Sequence, residues 1–290
     1  MKISVIVTNY NGISLLKKNF IHIINSSTGA QEIIFADDNS TDQSVEFIKS
    51  LQNKYKKIRI IKQKTNTGFG LNSNNAVKEA KGDLIVLLNN DIKPHPNYIE
   101  NSLKHFQDKK IFGVGFSELN NENWAQIYWS GGYLQHQPGL EINNTHITAW
   151  LSGGSSIIRK EYFLKLGGFD SIYSPFYCED LDLGYRAWKS GYKLFWEPSS
   201  IVEHRHESTI SKLPKHFRNY VIERNRLLVV WRNISDKKMI LENKLNLIGR
   251  IISGPNYIKI IRAAKSQINR YPKPIIYPKL TDRQIFDLFK

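Results

Sequence analysis

Cysteine is almost missing from this chain of 290 residues: Cys178 stands alone. One thiol cannot close an internal disulfide, so a disulfide framework is excluded and a reducing compartment is expected. Long apolar runs are absent as well, none reaching the roughly 18 residues that a membrane-crossing helix needs. The chain starts directly in the strand-like ISVIV, without the basic lead, apolar stretch and cleavage site of a secretory signal. These absences point to a cytoplasmic protein, or one held peripherally on the cytosolic face of a membrane. Low-complexity tracts and internal repeats are also missing. With 41% hydrophobic and 12% aromatic residues, the composition is that of a folded globular chain.

Acidic residues run short in one place only. Residues 1–204 carry 22 Lys and Arg against 20 Asp and Glu, whereas residues 205–290 carry 19 against 6, so +13 of the formal +15 sits at the end. The shift sets an expected division into a nearly neutral body, 1–205, with halves 1–110 and 111–205, and a basic extension, 206–290.

Short runs rich in Val and Ile occupy 3–7, 32–36, 58–61 and 84–88. Between them, 13–25, 43–51 and 70–80 place apolar residues at helical spacing. This βαβ rhythm predicts an α/β fold with a mostly parallel sheet flanked by helices. Ligands of such sheets bind outside the carboxyl ends of the strands, and the residues there read TNYN (8–11), ADDNSTD (36–42), KTNTGFG (64–70) and NND (89–91). Any one would serve as a turn or helix cap; four in register favour a site. Farther on, AWLSGGSSIIR (149–159) reads as a strand broken by Gly153 and Gly154, a pair expected where something approaches the backbone closely. YCEDLDLGYRAWKSGY opens a helix near 179, and a strand follows at 192–196.

Six segments in unbroken order over about residues 2–232, ISVIVTNYN, FADDNSTD, NTGFG, LLNND, LSGGSSIIRKEYFLKLGGFD with YCEDLDLGYRAWKSGY, and VEHRHEST, resemble the family 2 nucleotide-sugar glycosyltransferases, in particular their rhamnosyltransferase-like branch. The resemblance implies a Rossmann-like A-type fold and an inverting transfer from a nucleoside-diphosphate sugar, dTDP- or UDP-linked, to a glycan or lipid-linked saccharide. It also implies a divalent metal, Mn²⁺ or Mg²⁺, neutralising the leaving diphosphate. Such hard cations want oxygen ligands, and Asp91 at the tip of a buried strand is a fitting anchor. By the same resemblance His204 is a second ligand; His206, two residues on, shares its face on a strand. Thr8, Asn9 and Tyr10 would wrap the base, with Asp38 accepting from its imide N–H. Asn66, Gly68, Asn74 and Asn90 would complete the donor side, and Gly153 and Gly154 would present backbone to the sugar and phosphates. Asn75 stands where the family often has Gly. For Asp37, Ser40 and Asp42 turn formation is the expectation. Trp124, Trp129 and Trp150 fit sugar stacking and core packing equally.

The acceptor hydroxyl needs a base, and Glu179–Asp180 is the candidate pair. At a helix start the positive end of the dipole favours ionised carboxylates, the form a base requires. The resemblance makes Asp180 the base and gives Glu179 an orienting role, while Asp182 would cap the helix or pair with Arg186. Cys178 is expected to be a small packing residue.

In the tail, 211–231 has Leu213, Phe217, Tyr220, Val221, Leu227, Leu228 and Trp231 at helical spacing among Lys212, Lys215, Arg218, Arg224 and Arg232. Such a helix suits a membrane interface or the side of the catalytic body, and Arg224 and Arg226 are placed to reach a diphosphate. Residues 245–290 read as a loosely packed extension or a homodimer contact. Two rival readings stay open. A nucleic-acid binder would use the basic tail, but no recognised nucleic-acid motif appears and nucleic acid is not expected as a partner. A sugar-phosphate nucleotidyltransferase would want a Gly-rich basic loop after the first strand, where TNYNGIS stands.

Overall fold

The structure, a computed structural model, describes residues 1–119, 124–204 and 213–290. The expectations on His206 and Lys212 lie outside the described residues. The first half alternates as the sequence predicts: β1 (Ile3–Asn9), α1 (Ile13–Ser26), β2 (Glu32–Asp37), α2 (Ser44–Gln52), β3 (Ile58–Lys62), α3 (Phe69–Glu79) and β4 (Leu84–Asn89). After these come β5 (Ile92–Pro94), α4 (Glu100–Leu103), β6 (Ile111–Leu119), β7 (Ala125–Ser130), β8 (Tyr133–Pro138), β9 (His146–Ile147), β10 (Ser155–Arg159), α5 (Lys160–Lys165), α6 (Glu179–Lys189) and β11 (Lys193–His204). Four further helices close the chain: α7 (Lys215–Asn233), α8 (Lys237–Ser253), α9 (Tyr257–Arg270) and α10 (Asp282–Asp287).

Every residue of β1 is buried. Because alternate side chains leave a strand on opposite faces, such a strand needs a covering layer on each side. Val5, Val7, Phe35, Val86 and Leu88 pack under Leu16, Phe20 and Ile23 of α1 and Ile48 of α2. Ile6, Ile34, Ile85 and Leu87 pack under Ala76 and Val77 of α3, Leu183 and Ala187 of α6, and Leu227 and Leu228 of α7. Each such side chain contributes about 1.5–3 kcal/mol by leaving water.

The main sheet runs β3-β2-β1-β4-β10-β6-β11-β5, with β9 beside β11. Its first four strands are parallel. Beyond β4 the pairing is mixed: β10 lies antiparallel between β4 and β6, β11 is parallel to β6, and β5 antiparallel to β11. The parallel character inferred from the apolar runs thus describes the first half, since strands without a crossover helix between them are free to pair either way. The expected strand across 149–159 begins only at Ser155, after the glycine pair.

The charge boundary near 205 does not coincide with the packing. Leu227, Leu228, Val229 and Val230 of α7 belong to the sheet's own core and Val221 is buried too, so the apolar face considered for a membrane is largely spent inside the protein, leaving Phe217 and Tyr220 exposed. The far end is tied down too. Asp282, at the start of α10, is buried, pairs with Lys189 at 2.8 Å and accepts from Tyr185 Oη and the N–H groups of Ser235 and Asp236. Leu228→Ala should therefore lower unfolding free energy by about 2–5 kcal/mol and Ile252→Ala, on an exposed face of α8, by no more than about 0.5 kcal/mol. Urea denaturation of the two variants checks whether α7 is part of the body.

Candidate active site

The carboxyl ends of β1, β2 and β4 are level, because Asn9 lies beside Asp37 and Thr8 beside Asn89 in the ladders. Their polar groups bond to one another. Asn9 Nδ2 donates to Asp37 Oδ1 (3.0 Å) and Ser40 Oγ (3.1 Å), and its Oδ1 accepts from Asn90 Nδ2 (2.7 Å). Thr8 Oγ1 donates to Asn89 Oδ1 at 3.2 Å. Asp37 accepts the Ser40 N–H and hydroxyl, and Asp42 the N–H groups of Ile13 and Ser44, so these residues are spent on turns.

Several residues expected to touch a donor are engaged internally. Asp38 is buried and accepts from Thr67 N–H (2.7 Å), Thr67 Oγ1 (2.8 Å) and Gly68 N–H (2.8 Å). About three of a carboxylate's four acceptor sites are thereby filled, and its work in this structure is to hold the loop before α3. Gly68 in that loop has φ +82°, a conformation that favours glycine. The amide of Asn74 bonds both backbone groups of Phe169, donating to O (2.8 Å) and accepting from N–H (2.9 Å), and so clamps α3 to the 169 turn. A Cβ on Gly153 would meet the Phe69 ring at 2.8 Å and one on Gly154 the Asn89 amide at 2.3 Å, so the close approach there is by the protein's own side chains. Tyr10, 41% exposed, and Asn66, also exposed, are the expected donor residues with side chains open to solvent. Trp124 stacks on His146 with centroids 4.2 Å apart and Trp129 donates to Glu242, which leaves Trp150 facing a cavity.

Asp91 and His204 meet through sheet register. His204, the last residue of β11, pairs with Ile92 of β5, beside Asp91. Its Nε2 lies 3.2 Å from Asp91 Oδ1, and its Nδ1 is 2.8 Å from Glu118 Oε2 on β6. Glu118 in turn accepts from the Ser155 hydroxyl. All three groups are buried to within a tenth of full burial. Burial alone would lower the His204 pKa, but bonds to the Asp91 and Glu118 carboxylates raise it to about 9. Among the described residues the ion pair with His204 is the contact of the buried Asp91 Oδ1, and it falls short of good hydrogen-bond geometry, which leaves this oxygen able to take a further partner.

Glu179 and Asp180 open α6 as expected, and they face different cavities. Asp180 borders one of about 450 Å³ with His136, Trp150, Tyr177 and Arg226. Glu179 borders a second, of about 210 Å³, with Thr67, Gly68, Phe69 and Tyr173. The second cavity thus joins the acidic pair to the loop that Asp38 holds, and Phe69 carries the contact on to Gly153. The shift runs opposite to the one expected from the helix end. Burial, then for Glu179 the neighbouring Asp180 charge, pushes both carboxyl pKa values above the usual range, because desolvation here outweighs a dipole effect of about 0.3–1 kcal/mol. Asp182 pairs with Arg186 at 2.6 Å. Burial and the adjacent carboxylates push the Cys178 thiol up as well, which makes it unsuited to act as a nucleophile.

The turn that delivers the pair is strained: Tyr177 and Cys178 have φ of 68° and 76°, each costing on the order of 1 kcal/mol. It is held from α7. Asn225 Nδ2, buried, donates to the carbonyls of Tyr173, Phe176 and Tyr177, all at 2.8 Å, and Arg224 donates to that of Ser174. Gly184 lets α6 lie against the backbone of Ala149 and Trp150, where a Cβ would meet the Ala149 carbonyl at 2.5 Å. Sequence reasoning missed Asn225 and Glu118. One polar residue inside the apolar face of α7 was a usable signal for the first, whereas Glu118 acquires its place only through strand pairing.

Residues 4–167 match the family described as Glycosyl transferase family 2. Among curated proteins, the N-acetylglucosaminyl-diphospho-decaprenol L-rhamnosyltransferase of Mycobacterium tuberculosis is 24% identical over 242 residues, 69% of this chain and 76% of that one. A probable N-acetylgalactosaminyltransferase 9 of Caenorhabditis elegans is 26% identical over 204 residues, 60% of this chain, which spans only 34% of that protein's length. Among solved structures, GalNAc-T7 with UDP, GalNAc and Mn²⁺ superposes with TM-score 0.67 at 17% identity, over 92% of this chain and 54% of the other.

Raised carboxyl pKa values in the folded state mean that the folded protein binds more protons than the unfolded chain at intermediate pH, so stability from these groups is present at low pH and lost as pH rises through the folded values. Glu179→Gln, which cannot ionise, should leave Tm nearly unchanged at about pH 4 and raise it relative to the parent increasingly toward about pH 9. A Tm difference that is flat with pH would show that Glu179 carries no such strain.

Proposed function

The chain belongs to Glycosyl transferase family 2, and from that membership we propose that it moves a sugar from a nucleoside-diphosphate sugar to a saccharide or lipid-linked saccharide, inverting the anomeric centre in one displacement. The observation that carries the reading is the buried Asp91–His204 pair, 3.2 Å apart, at the edge where the polar strand ends gather, with no well-formed hydrogen bond on Asp91 Oδ1 among the described residues. A carboxylate and an imidazole at one point suit a divalent cation such as Mn²⁺ that displaces the proton His204 holds between the two carboxylates, and the Glu118 bond to the far nitrogen is the arrangement that orients a ligating histidine. Among the described residues no group of three or more His, Cys, Asp or Glu forms a cage, so Asp91 and His204 would hold the ion with further oxygens from diphosphate and water. A bound cation would supply charge neutralisation at the departing diphosphate.

The remaining work falls to the chain's own groups. Tyr10 and Asn66 flank the nucleotide end, and the Thr67–Gly68 loop, set by Asp38, shapes the adjoining wall. Asp180, in the larger cavity beside Trp150, takes the acceptor hydroxyl proton as the new glycosidic bond forms on the face opposite the leaving group. A carboxylate of raised pKa is a stronger base once ionised, and its neighbour Glu179, with the greater upward push, keeps its proton longer. Glu179 then donates a hydrogen bond that orients sugar or acceptor. The GalNAc-T7 complex with UDP and Mn²⁺ supports a metal-assisted nucleotide-sugar site on this fold, and the mycobacterial relative supports rhamnose as one donor sugar worth testing.

A thermal-shift panel of UDP-, dTDP- and GDP-sugars with and without Mn²⁺ identifies the donor. With that donor, Asp180→Asn should reduce kcat by about 10²–10⁴-fold and leave donor affinity nearly intact; retained turnover removes Asp180 as the base. The acid limb of kcat/KM should lie above the ordinary carboxylate range. Asp91→Ala should abolish the Mn²⁺-dependent part of donor binding, and Glu118→Gln should weaken Mn²⁺ affinity, read by paramagnetic resonance without donor, by about 10–100-fold.

A further inference from the structure

Helix α8 turns one side to the body and an apolar side to solvent. Asn243 and Leu247 are buried against the body. On the other side Leu241, Leu245, Ile248 and Ile252 are 57%, 60%, 55% and 77% exposed. Their spacing of four, three and four residues places them within about 60° of one another around the helix. Four large aliphatic side chains aligned in water are more than the scattered exposure that folded proteins tolerate.

The charges around this stripe are of one sign. Lys237, Lys238 and Lys244 are exposed and border it on both sides by the same helical arithmetic. Lys237 and Lys238 open the helix, where the dipole disfavours cations, so helix stability does not account for them. The nearest acidic residue of the helix, Glu242, turns its carboxylate to Trp129 Nε1 and the Gly132 N–H. No helix of the described residues is long and apolar enough to cross a bilayer. A groove of about 1030 Å³, lined by Phe217 and Tyr220 of α7 and Gly249 and Ser253 of α8, opens beside the stripe.

We propose that this face of α8 is a docking surface for an anionic lipid bilayer, the Leu241–Leu245–Ile248–Ile252 stripe entering the headgroup region and the three lysines meeting lipid phosphates. Aliphatic side chains rimmed by lysine on a helix too polar to insert are the arrangement that lies flat in an interface. A second copy of the chain would satisfy the stripe but set three lysines against three. The inference is independent of the reaction assigned above, since no residue of the stripe or its rim belongs to the candidate active site.

Co-sedimentation of the full chain with vesicles of phosphatidylcholine, with and without about 30% phosphatidylglycerol, at about 0.15 M salt, tests it. The protein should pellet with the anionic vesicles and not with the neutral ones. Leu245→Glu/Ile248→Glu should reduce the bound fraction tenfold or more, and Lys237→Glu/Lys238→Glu/Lys244→Glu by at least about fivefold per lysine, with Tm preserved because all five positions are exposed. If the double variant misfolds, Leu245→Ser/Ile248→Ser replaces it. Failure of the parent chain to pellet, equal pelleting with both vesicle types, or variants that bind as the parent does would overturn the proposal. So would a dimer in light scattering that Leu245→Glu dissolves without any vesicle binding, which would give the stripe to a second copy.

Discussion

Two-sided burial of β1 is the constraint from which the rest follows. A strand whose every side chain is buried must lie at the centre of a sheet with a layer on each face, and parallel neighbours then come only through crossover helices. Once β2 and β4 flank β1 in parallel, the last residues of all three arrive at one edge. The polar residues there cannot enter either core, and helix starts and turns surround them. A ligand-binding edge is therefore a by-product of the way the hydrophobic runs must pack.

That edge explains why an apolar run such as LIVLL ends in Asn89, Asn90 and Asp91. The first two asparagines knit strand ends together through Thr8 and Asn9, and the aspartate is left paired with His204, one buried oxygen lacking a well-formed hydrogen bond among the described residues. Fully bonded and less fully bonded polar groups thus stand side by side in the chain. The same division recurs at Cys178–Asp182, where Asp182 is locked to Arg186 while Glu179 and Asp180 border cavities. Buried polar groups that are fully satisfied rigidify their surroundings, and at both places such a group holds its neighbours in position.

The C-terminal helices change the meaning of the basic composition. Charge density alone separates residues after 205 from the body, yet α7 supplies core side chains and the Asn225 clamp on the turn before Glu179. Charge is carried by surface atoms and packing by buried ones, so a boundary drawn from one need not match the other. Part of the tail's remaining apolar surface lies on α8, on the side turned from the body.

The sequence by itself determined the alternation of strands and helices in the first half, the edge on which TNYN, ADDNSTD and NND lie, and the acidic start of α6, since each is a local pattern of hydrophobic period and turn chemistry. It could also mark Asp91 and Asp180 as carboxylates worth attention. It could not show that Asn74 and the glycine pair serve internal packing, that Glu118 backs His204, or that burial raises the acidic pair. Those outcomes were decided by β10 and β11 entering the sheet beside β4 and β6, and by α7 closing over the turn. Register between distant strands and desolvation by distant helices are set by the whole core, and no short window of residues contains them.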